Sequence, residues 1–241
     1  GFIDVPGHNR FINTMISGVT GIDMALLVVA ADDGIMPQTI EHLDVLRLLG
    51  VSQYVAVITK IDRVEAARVD EVAQAVQDLL PASVPVYPIN NIGGDGIGEL
   101  KRFLHQSAEN LPKKARSGHF RMPIDRSFLL KGTGLVVTGT AVSGGVRVGD
   151  ELQLLPLGLP VRVRGIHAQG EVSDEGRAGQ RCAIDLTGAS KDQIERGDWL
   201  QAPELSRSSD CLDVRVELLS SAPFSLKHLA PVKLYLGAKR I

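Results

Sequence analysis

The sequence predicts an α/β domain on a parallel sheet, then an antiparallel β-barrel, then the start of a second barrel. Three observations carry this. Up to residue 112, short apolar runs alternate with helically spaced apolar residues, the pattern of repeated βα units. After residue 117 the helical spacing gives way to short, often strictly alternating runs between Gly-rich turns. A basic, small-residue stretch separates the two regimes. The expected divisions are 1–112, a linker at 113–117, a first barrel at 118–205 and the opening of a second at 206–241.

Residues 1–4 read as a strand end. Phe11, Ile12, Met15, Ile16 and Val19 share one helical face. Residues 24–31 form an apolar run without alternation, as expected of a strand covered on both faces. Pro37 suits the first turn of a helix carrying Ile40, Leu43 and Leu46, which Gly50 ends. Residues 54–58 are strand-like. Val69, Val72, Ala73, Val76 and Leu80 line a helix stopped by Pro81. Residues 84–89 give another strand, and Ile97, Leu100, Phe103 and Leu104 line a last helix. In the second regime, strands are expected at 135–137, 146–148, 151–154, 161–164 and 182–184, and a further pair at 212–219 and 232–236.

Of the 241 residues, 44% are hydrophobic and 22% charged, the composition of an ordinary globular protein. The formal charge of −2 does not advertise nucleic-acid binding overall, although a local basic patch is compatible with it. Cys182 and Cys211 both sit in apolar, strand-like contexts and read as buried, reduced thiols of a cytoplasmic protein. The apolar run 24–31 is too short to span a membrane, so no membrane association is expected.

Two motifs carry chemistry. The first is Asp4-Val5-Pro6-Gly7-His8 at the end of a strand. An Asp there sits at the ligand-binding edge of a parallel sheet and can hold Mg²⁺ through a water. Gly7 has no Cβ, so its N–H can approach a γ-phosphate closely. His8 is placed to orient or activate an attacking water. The second motif is Thr59-Lys60-Ile61-Asp62, after the strand at 54–58. A carboxylate at that position can accept from guanine N1–H and the 2-amino group together. Adenine would leave it unpaired, and that difference selects the base. The Lys60 stem can cover the ring. Two such motifs, two βα units apart, point to a guanine-nucleotide domain.

Longer stretches add to this. Ala31-Asp32-Asp33-Gly34-Ile35-Met36-Pro37-Gln38-Thr39 with Glu41-His42, Ile124-Asp125-Arg126-Ser127-Phe128, the run from Lys131 to Thr140 and Arg196-Gly197-Asp198-Trp199-Leu200 resemble the translational GTPases. Within that group they are most similar to the selenocysteine-specific elongation factors, the SelB family, over essentially the whole chain. The resemblance implies a P-loop-type GTPase domain followed by two β-barrels, with GTP/GDP and Mg²⁺ as cofactors. It implies delivery of selenocysteyl-tRNA to the ribosome, reading of an mRNA hairpin through a C-terminal RNA-binding extension, and a monomeric cytoplasmic protein. It further implies that Asp125, Arg126 and Arg181 hold the selenocysteyl group. A selenol is more acidic than a thiol, so the ligand is an anion at neutral pH and two guanidinium groups suit it.

The sequence departs from that pattern in places. It contains no Gly-x-x-x-x-Gly-Lys-Ser/Thr, and Lys131-Gly132-Thr133 has the wrong order and lies in the barrel region. The switch I threonine is likewise missing. At the family's usual Ser-Ala turn beside guanine the chain has Pro88-Ile89-Asn90-Asn91, and the resemblance implies that the Asn91 N–H takes the place facing guanine O6. Thr59 stands where most GTPases carry Asn, as is common in this family. The expectation is a fragment that lacks the phosphate grip, that by itself neither delivers selenocysteyl-tRNA nor hydrolyses GTP detectably, and that shows no sub-micromolar GDP binding. Two alternatives stand beside it: a general aminoacyl-tRNA or initiation GTPase, and a non-enzymatic RNA- or protein-binding barrel remnant.

Overall fold

A computed structural model of the chain describes residues 2–5, 7, 22–111, 117–205, 211, 213–219, 222, 225–236 and 239–240. They fall into two compact units: one contains residues 22–111, the other the described residues from 117 onward together with 2–5.

In the first unit, β1 (Ala25–Ala30), β2 (Tyr54–Thr59) and β3 (Val86–Pro88) form a parallel sheet in the order β1-β2-β3. Its register pairs Ala30 with Thr59 and Ile58 with Pro88, which brings the three carboxyl ends to one edge. Two helices connect the strands, α1 (Pro37–Leu48) and α2 (Ala66–Leu79), and a third, α3 (Ile97–Asn110), follows β3. Pro37 opens α1 at a position whose N–H would have no helical partner. On one face of the sheet, Val55, Val57, Ile89 and Leu100 pack with Met24, Tyr87, Ile97, Phe103 and Leu104. Tyr87 and Phe103 meet there with ring centroids 5.5 Å apart.

Two expectations fail in this unit. The run at 24–31 is not covered on both faces: Leu26 is 39% and Val28 55% exposed, while Leu27 and Val29 are buried. The cluster under α3 covers the β2–β3 part of that face and does not extend to β1. Residues 2–5 form no strand, pair with none of β1 to β3, and group with the other unit. With no ladder partner, Phe2 and Ile3 stay exposed, and an unpaired extended segment gains nothing against its chain entropy. The helix expected around Phe11 to Val19 lies outside the described residues.

In the second unit, β4 (Arg121–Pro123), β5 (Arg126–Leu130), β6 (Gly134–Thr140), β7 (Gly145–Arg147), β8 (Glu151–Leu155), β9 (Leu159–Ala168), β10 (Glu171–Ser173), β11 (Glu175–Arg177), β12 (Arg181–Thr187) and β13 (Trp199–Gln201) follow one another. The main sheet runs β4-β13-β8-β9-β12-β6-β5, antiparallel throughout. It curls until β4 meets the chain beyond β6, where the Val142 N–H donates to Arg121 O at 2.8 Å. Period-two alternation along β8, β9 and β12 sends Leu152, Leu154, Val161, Val163, Ile166, Ile184 and Leu186 into one core with Met122, Ile124 and Leu200. Gly139 allows the closure, because a Cβ there would lie 2.1 Å from Pro123 O.

Cys182 belongs to the barrel core, whereas Cys211 is exposed, contrary to the expectation of two buried thiols. The expected strand at 212–219 is not formed over residues 213–219. Val214, Val216 and Leu218 alternate as a strand would, but all are exposed, and among the described residues no strand pairs with them. Of the expected strand at 232–236, only β14 (Tyr235–Leu236) forms, paired with β15 (Lys239–Arg240). Among the described residues, no helix is long and apolar enough to cross a membrane.

Candidate functional site

Two groups of predicted residues are assembled, one in each unit. In the first, the parallel register places three strand ends side by side: residues 31–33 after β1, residues 59–62 after β2, and residues 89–91 after β3. Ligands of open parallel sheets bind at this edge. The Ala31 N–H donates to Thr59 O at 2.9 Å, and the Ile89 N–H to Ile58 O at 2.8 Å, which continues the register past the strands. Lys60 then takes the left-handed backbone conformation, with φ 58°, and a single 3₁₀ turn carries Asp62.

Lys60 reaches across to the β1 end. Its Nζ donates to both carboxylate oxygens of Asp32 at 2.9 Å and approaches Asp33 Oδ2 at 3.4 Å. The Asp32 hydrogen bond raises the Lys60 pKa above the ordinary lysine value, and the same bond lowers that of Asp32. The Lys60 charge is thus fixed at one end while its stem spans the sheet edge. Asp62 is exposed and makes no side-chain hydrogen bond or ion pair with a described residue.

The loop after β3 is built by Asn90. Its Oδ1 accepts from the Ile92 and Gly93 N–H groups at 2.9 Å each, and its Nδ2 donates to Asp95 Oδ2 at 3.2 Å. Gly96, at φ +74°, packs where a Cβ would lie 2.2 Å from Pro88 O. Tied this way, the loop leaves the Asn91 N–H without a described acceptor. An unpaired carboxylate and an unpaired N–H on adjacent strand ends suit the donor and acceptor edge of guanine.

The residues of the Asp-Val-Pro-Gly-His motif are different. Asp4 is exposed, and Gly7 has nothing within 4 Å of the position a Cβ would take. His8 lies outside the described residues. No group of three metal-ligating side chains occurs among the described residues. Asp4 supplies one carboxylate, so these residues by themselves do not make a Mg²⁺ shell. Lys131-Gly132-Thr133 is the turn of the β5–β6 hairpin, closed by the Thr133 N–H to Leu130 O at 3.1 Å.

The second group lies on the outer face of the barrel. Asp125 stands just before β5, with its N–H donating to Thr138 O at 2.8 Å. Its carboxylate takes both Arg181 guanidinium nitrogens: Nη1 closes on Oδ2, and Nη2 lies 3.1 Å from Oδ1. Thr138 Oγ1 donates to Asp125 Oδ1 at 2.6 Å, and Arg181 Nη2 approaches the same hydroxyl at 3.4 Å. The fork geometry orients Arg181 as a lysine could not.

Arg126 stands in register with Thr138, is exposed, and forms no side-chain ion pair with a described residue. The register continues from Thr138 to Ala183, His167 and Val172, so these five residues share one face in a transverse row. The small Thr138 and Ala183 lie between the longer Arg126 and His167 in this row, beside the Asp125–Arg181 pair. One carboxylate against two guanidinium groups leaves the site net positive.

Of the three sequence-predicted barrel residues, Asp125 stands just before β5, Arg126 opens β5 and Arg181 opens β12 on the far side of β6, and Asp125 and Arg181 are in direct contact. Thr138 was not anticipated. The signal for it was the alternation in Val136-Val137-Thr138-Gly139-Thr140, which puts a hydroxyl on the face opposite the core.

The chain matches the family model of the elongation factor Tu GTP binding domain over residues 1–144 and that of elongation factor Tu domain 2 over residues 134–201. It is 42% identical to a selenocysteine-specific elongation factor of Desulfomicrobium baculatum over 100% of its own length, and 46% identical to one of Escherichia coli over 95%. In each case it spans 39% of the relative's length. Among solved structures it is similar to a bacterial selenocysteine-specific elongation factor EF-Sec, with a TM-score of 0.78, 32% identity, and coverage of 83% of this chain and 35% of that one. The GTP-analogue complex of SelB from Methanococcus maripaludis matches with a TM-score of 0.77 and 33% identity, covering 83% of this chain and 46% of that one. The two family models match one region that holds the parallel sheet and one that lies within the antiparallel barrel, and the chain belongs to the elongation factor Tu family of translational GTPases.

Proposed function

We propose that this chain is part of a selenocysteine-specific elongation factor, which carries selenocysteyl-tRNA to the ribosome and hydrolyses GTP there. The observation that carries the proposal is the Asp125–Arg181–Thr138 cluster with Arg126 beside it on the barrel face. A selenolate placed beside this cluster meets guanidinium charge. The seryl precursor offers a neutral hydroxyl and leaves that charge poorly compensated. Asp125 orients Arg181 and so keeps one guanidinium edge turned toward the ligand. The names of the relatives agree with this substrate.

At the other site, Thr59, Lys60, Asp62 and Asn91 hold the guanine of GTP or GDP. Within the intact factor, Gly7 senses the γ-phosphate and His8 orients the attacking water, as the Asp-Val-Pro-Gly-His sequence suits. Asp4 is the residue of this chain available to Mg²⁺, which would neutralise phosphate charge when bound. Residues 1–112 are assigned to the GTPase domain, 113–117 to a linker, 118–205 to the first barrel and 206–241 to the start of the second. The factor works as a cytoplasmic monomer, and a C-terminal extension reads the mRNA hairpin.

The test is protection of the aminoacyl ester. The chain is incubated with selenocysteyl-tRNA or seryl-tRNA, and spontaneous deacylation is followed. Selective protection of the selenocysteyl ester, lost in Arg181→Ala, is the expected result. Equal protection of both esters, or none of either, overturns the assignment.

A further inference from the structure

Asp198 is a buried carboxylate, 3% exposed, on the turn leading into β13. Its Oδ2 accepts from the Glu195 N–H at 2.8 Å, and its Oδ1 accepts from Lys239 Nζ at 2.8 Å. Glu195 Oε2 lies 3.8 Å from the same ammonium. Lys239 comes from β15, 41 residues further along the chain. The backbone there rests on Gly197. A Cβ at Gly197 would lie 2.5 Å from Lys239 N and Cα, and the residue has φ +91°.

The same turn also grips Ile124. The Gly197 N–H donates to Ile124 O at 2.7 Å, and the Ile124 N–H donates to Asp198 O at 2.8 Å. Ile124 is fully buried, and the next residue is Asp125. A continuous path of contacts therefore runs from Lys239 through Asp198 and Ile124 to the carboxylate that holds Arg181.

We infer that Lys239 and the Gly197–Asp198 turn form a joint through which docking of the β14–β15 hairpin fixes Asp125 in place. Lys239 and Asp198 are then positioning residues for the barrel-face pocket, an inference that rests on the pocket's role proposed above. The physical cause is the cost of an unpaired buried carboxylate. Without the Lys239 ammonium, Asp198 reaches water only if its turn moves. Moving the turn breaks both backbone bonds to Ile124 and loosens the residue after it.

Amide hydrogen exchange on the 241-residue chain tests the joint without any ligand, so it can fail or succeed independently of the pocket's substrate. In Lys239→Met, the Gly197, Ile124 and Asp125 amides are expected to exchange about tenfold faster, while the β8–β9 ladder amides stay within about twofold. Lys239→Arg restores slow exchange. In an Asp198→Asn background, where no charge needs compensation, Lys239→Met leaves the three amides within about twofold of that background. Acceleration confined to Gly197, or spread evenly over the ladders, overturns the inference: the first ends the path at the turn, and the second reduces Lys239 to a general stabiliser.

Discussion

Thr138 donates its hydroxyl to the Asp125 carboxylate at 2.6 Å while standing directly opposite Arg126 in the β5–β6 ladder. The hydroxyl therefore sets how Asp125 faces Arg181. Thr138→Val keeps the shape and removes the donor. A hydrogen bond to a charged, partly exposed group contributes ~1 kcal/mol, so selenocysteyl-tRNA protection should weaken roughly fivefold. The barrel itself should change little in stability, because Arg181 still pairs with Asp125. An unaltered dissociation constant in the deacylation assay would remove Thr138 from the site.

How far the sequence spoke for itself depends on the distance over which each feature is decided. Thr59-Lys60-Ile61-Asp62 was legible because strand, turn and carboxylate are contiguous, and the parallel register then carries it to the edge shared with Asp32 and Asn91. The barrel strands were legible from alternation. What failed was settled by missing neighbours. Leu26 and Val28 read as buried but lie on a face that α3 does not cover. Val214, Val216 and Leu218 have strand periodicity, and no described strand pairs with them. Phe2 and Ile3 read as a strand end for the same local reason and find no ladder. Asp198–Lys239 could not be read at all, since nothing near Asp198 in sequence announces a partner 41 residues away.

The Lys60–Asp32 pair fixes the pH range in which the sheet edge holds its shape. The Lys60 pKa is raised by Asp32, so its contribution is present below the unfolded lysine value and is lost as pH rises through the folded one. The Asp32 pKa is lowered by Lys60, so its contribution is present above the unfolded aspartate value and is lost as pH falls through the folded one. The pair is therefore intact across neutral pH and opens only toward either extreme. An NMR titration of the Lys60 side chain should place its midpoint above that of a free lysine, and Asp32→Asn should bring it down. A midpoint indifferent to Asp32→Asn would mean that the pair does not form in solution.

Guanine contacts without a phosphate grip should bind weakly. The chain has Asp62 and Asn91, the residues proposed above for the base, but no Gly-x-x-x-x-Gly-Lys-Ser/Thr sequence to surround the phosphates with backbone N–H groups. Isothermal titration of the 241-residue chain with GDP should therefore give no sub-micromolar binding. GDP and guanosine should bind alike, because the diphosphate adds little. A strong preference for GDP over guanosine would show that other residues of the chain supply phosphate contacts.

Burial pushes the Cys182 thiol up to about 11, against a weaker opposing backbone hydrogen bond. At pH 8 about one part in a thousand is thiolate, and the sulfur is also enclosed: a Cβ on Gly176 would lie 2.8 Å from it. The folded chain should leave Cys182 unlabelled by iodoacetamide at pH 8, and urea should expose it. Peptide mapping reads the result directly. Rapid labelling of Cys182 in the native state would contradict the packing of the barrel core.

Closure of the barrel depends on how near β6 comes to β4. At Gly139 a Cβ would stand 2.1 Å from Pro123 O and 2.8 Å from Met122 Cγ. Met122 is fully buried, and backbone cannot rotate away as a flexible side-chain end can. Gly139→Ala must therefore push the two strands apart, which costs about 1–3 kcal/mol by overpacking. The same displacement moves Thr138, the neighbour of Gly139, relative to Asp125, two residues after Pro123. The variant should lower the thermal midpoint and weaken the Thr138–Asp125 hydrogen bond together. Gly134→Ala is the control, since a Cβ there meets only Asp185 Oδ1 at 3.8 Å, although its φ of +113° adds backbone strain. If Gly139→Ala melts no lower than Gly134→Ala, the close approach of β4 and β6 is not what closes this barrel.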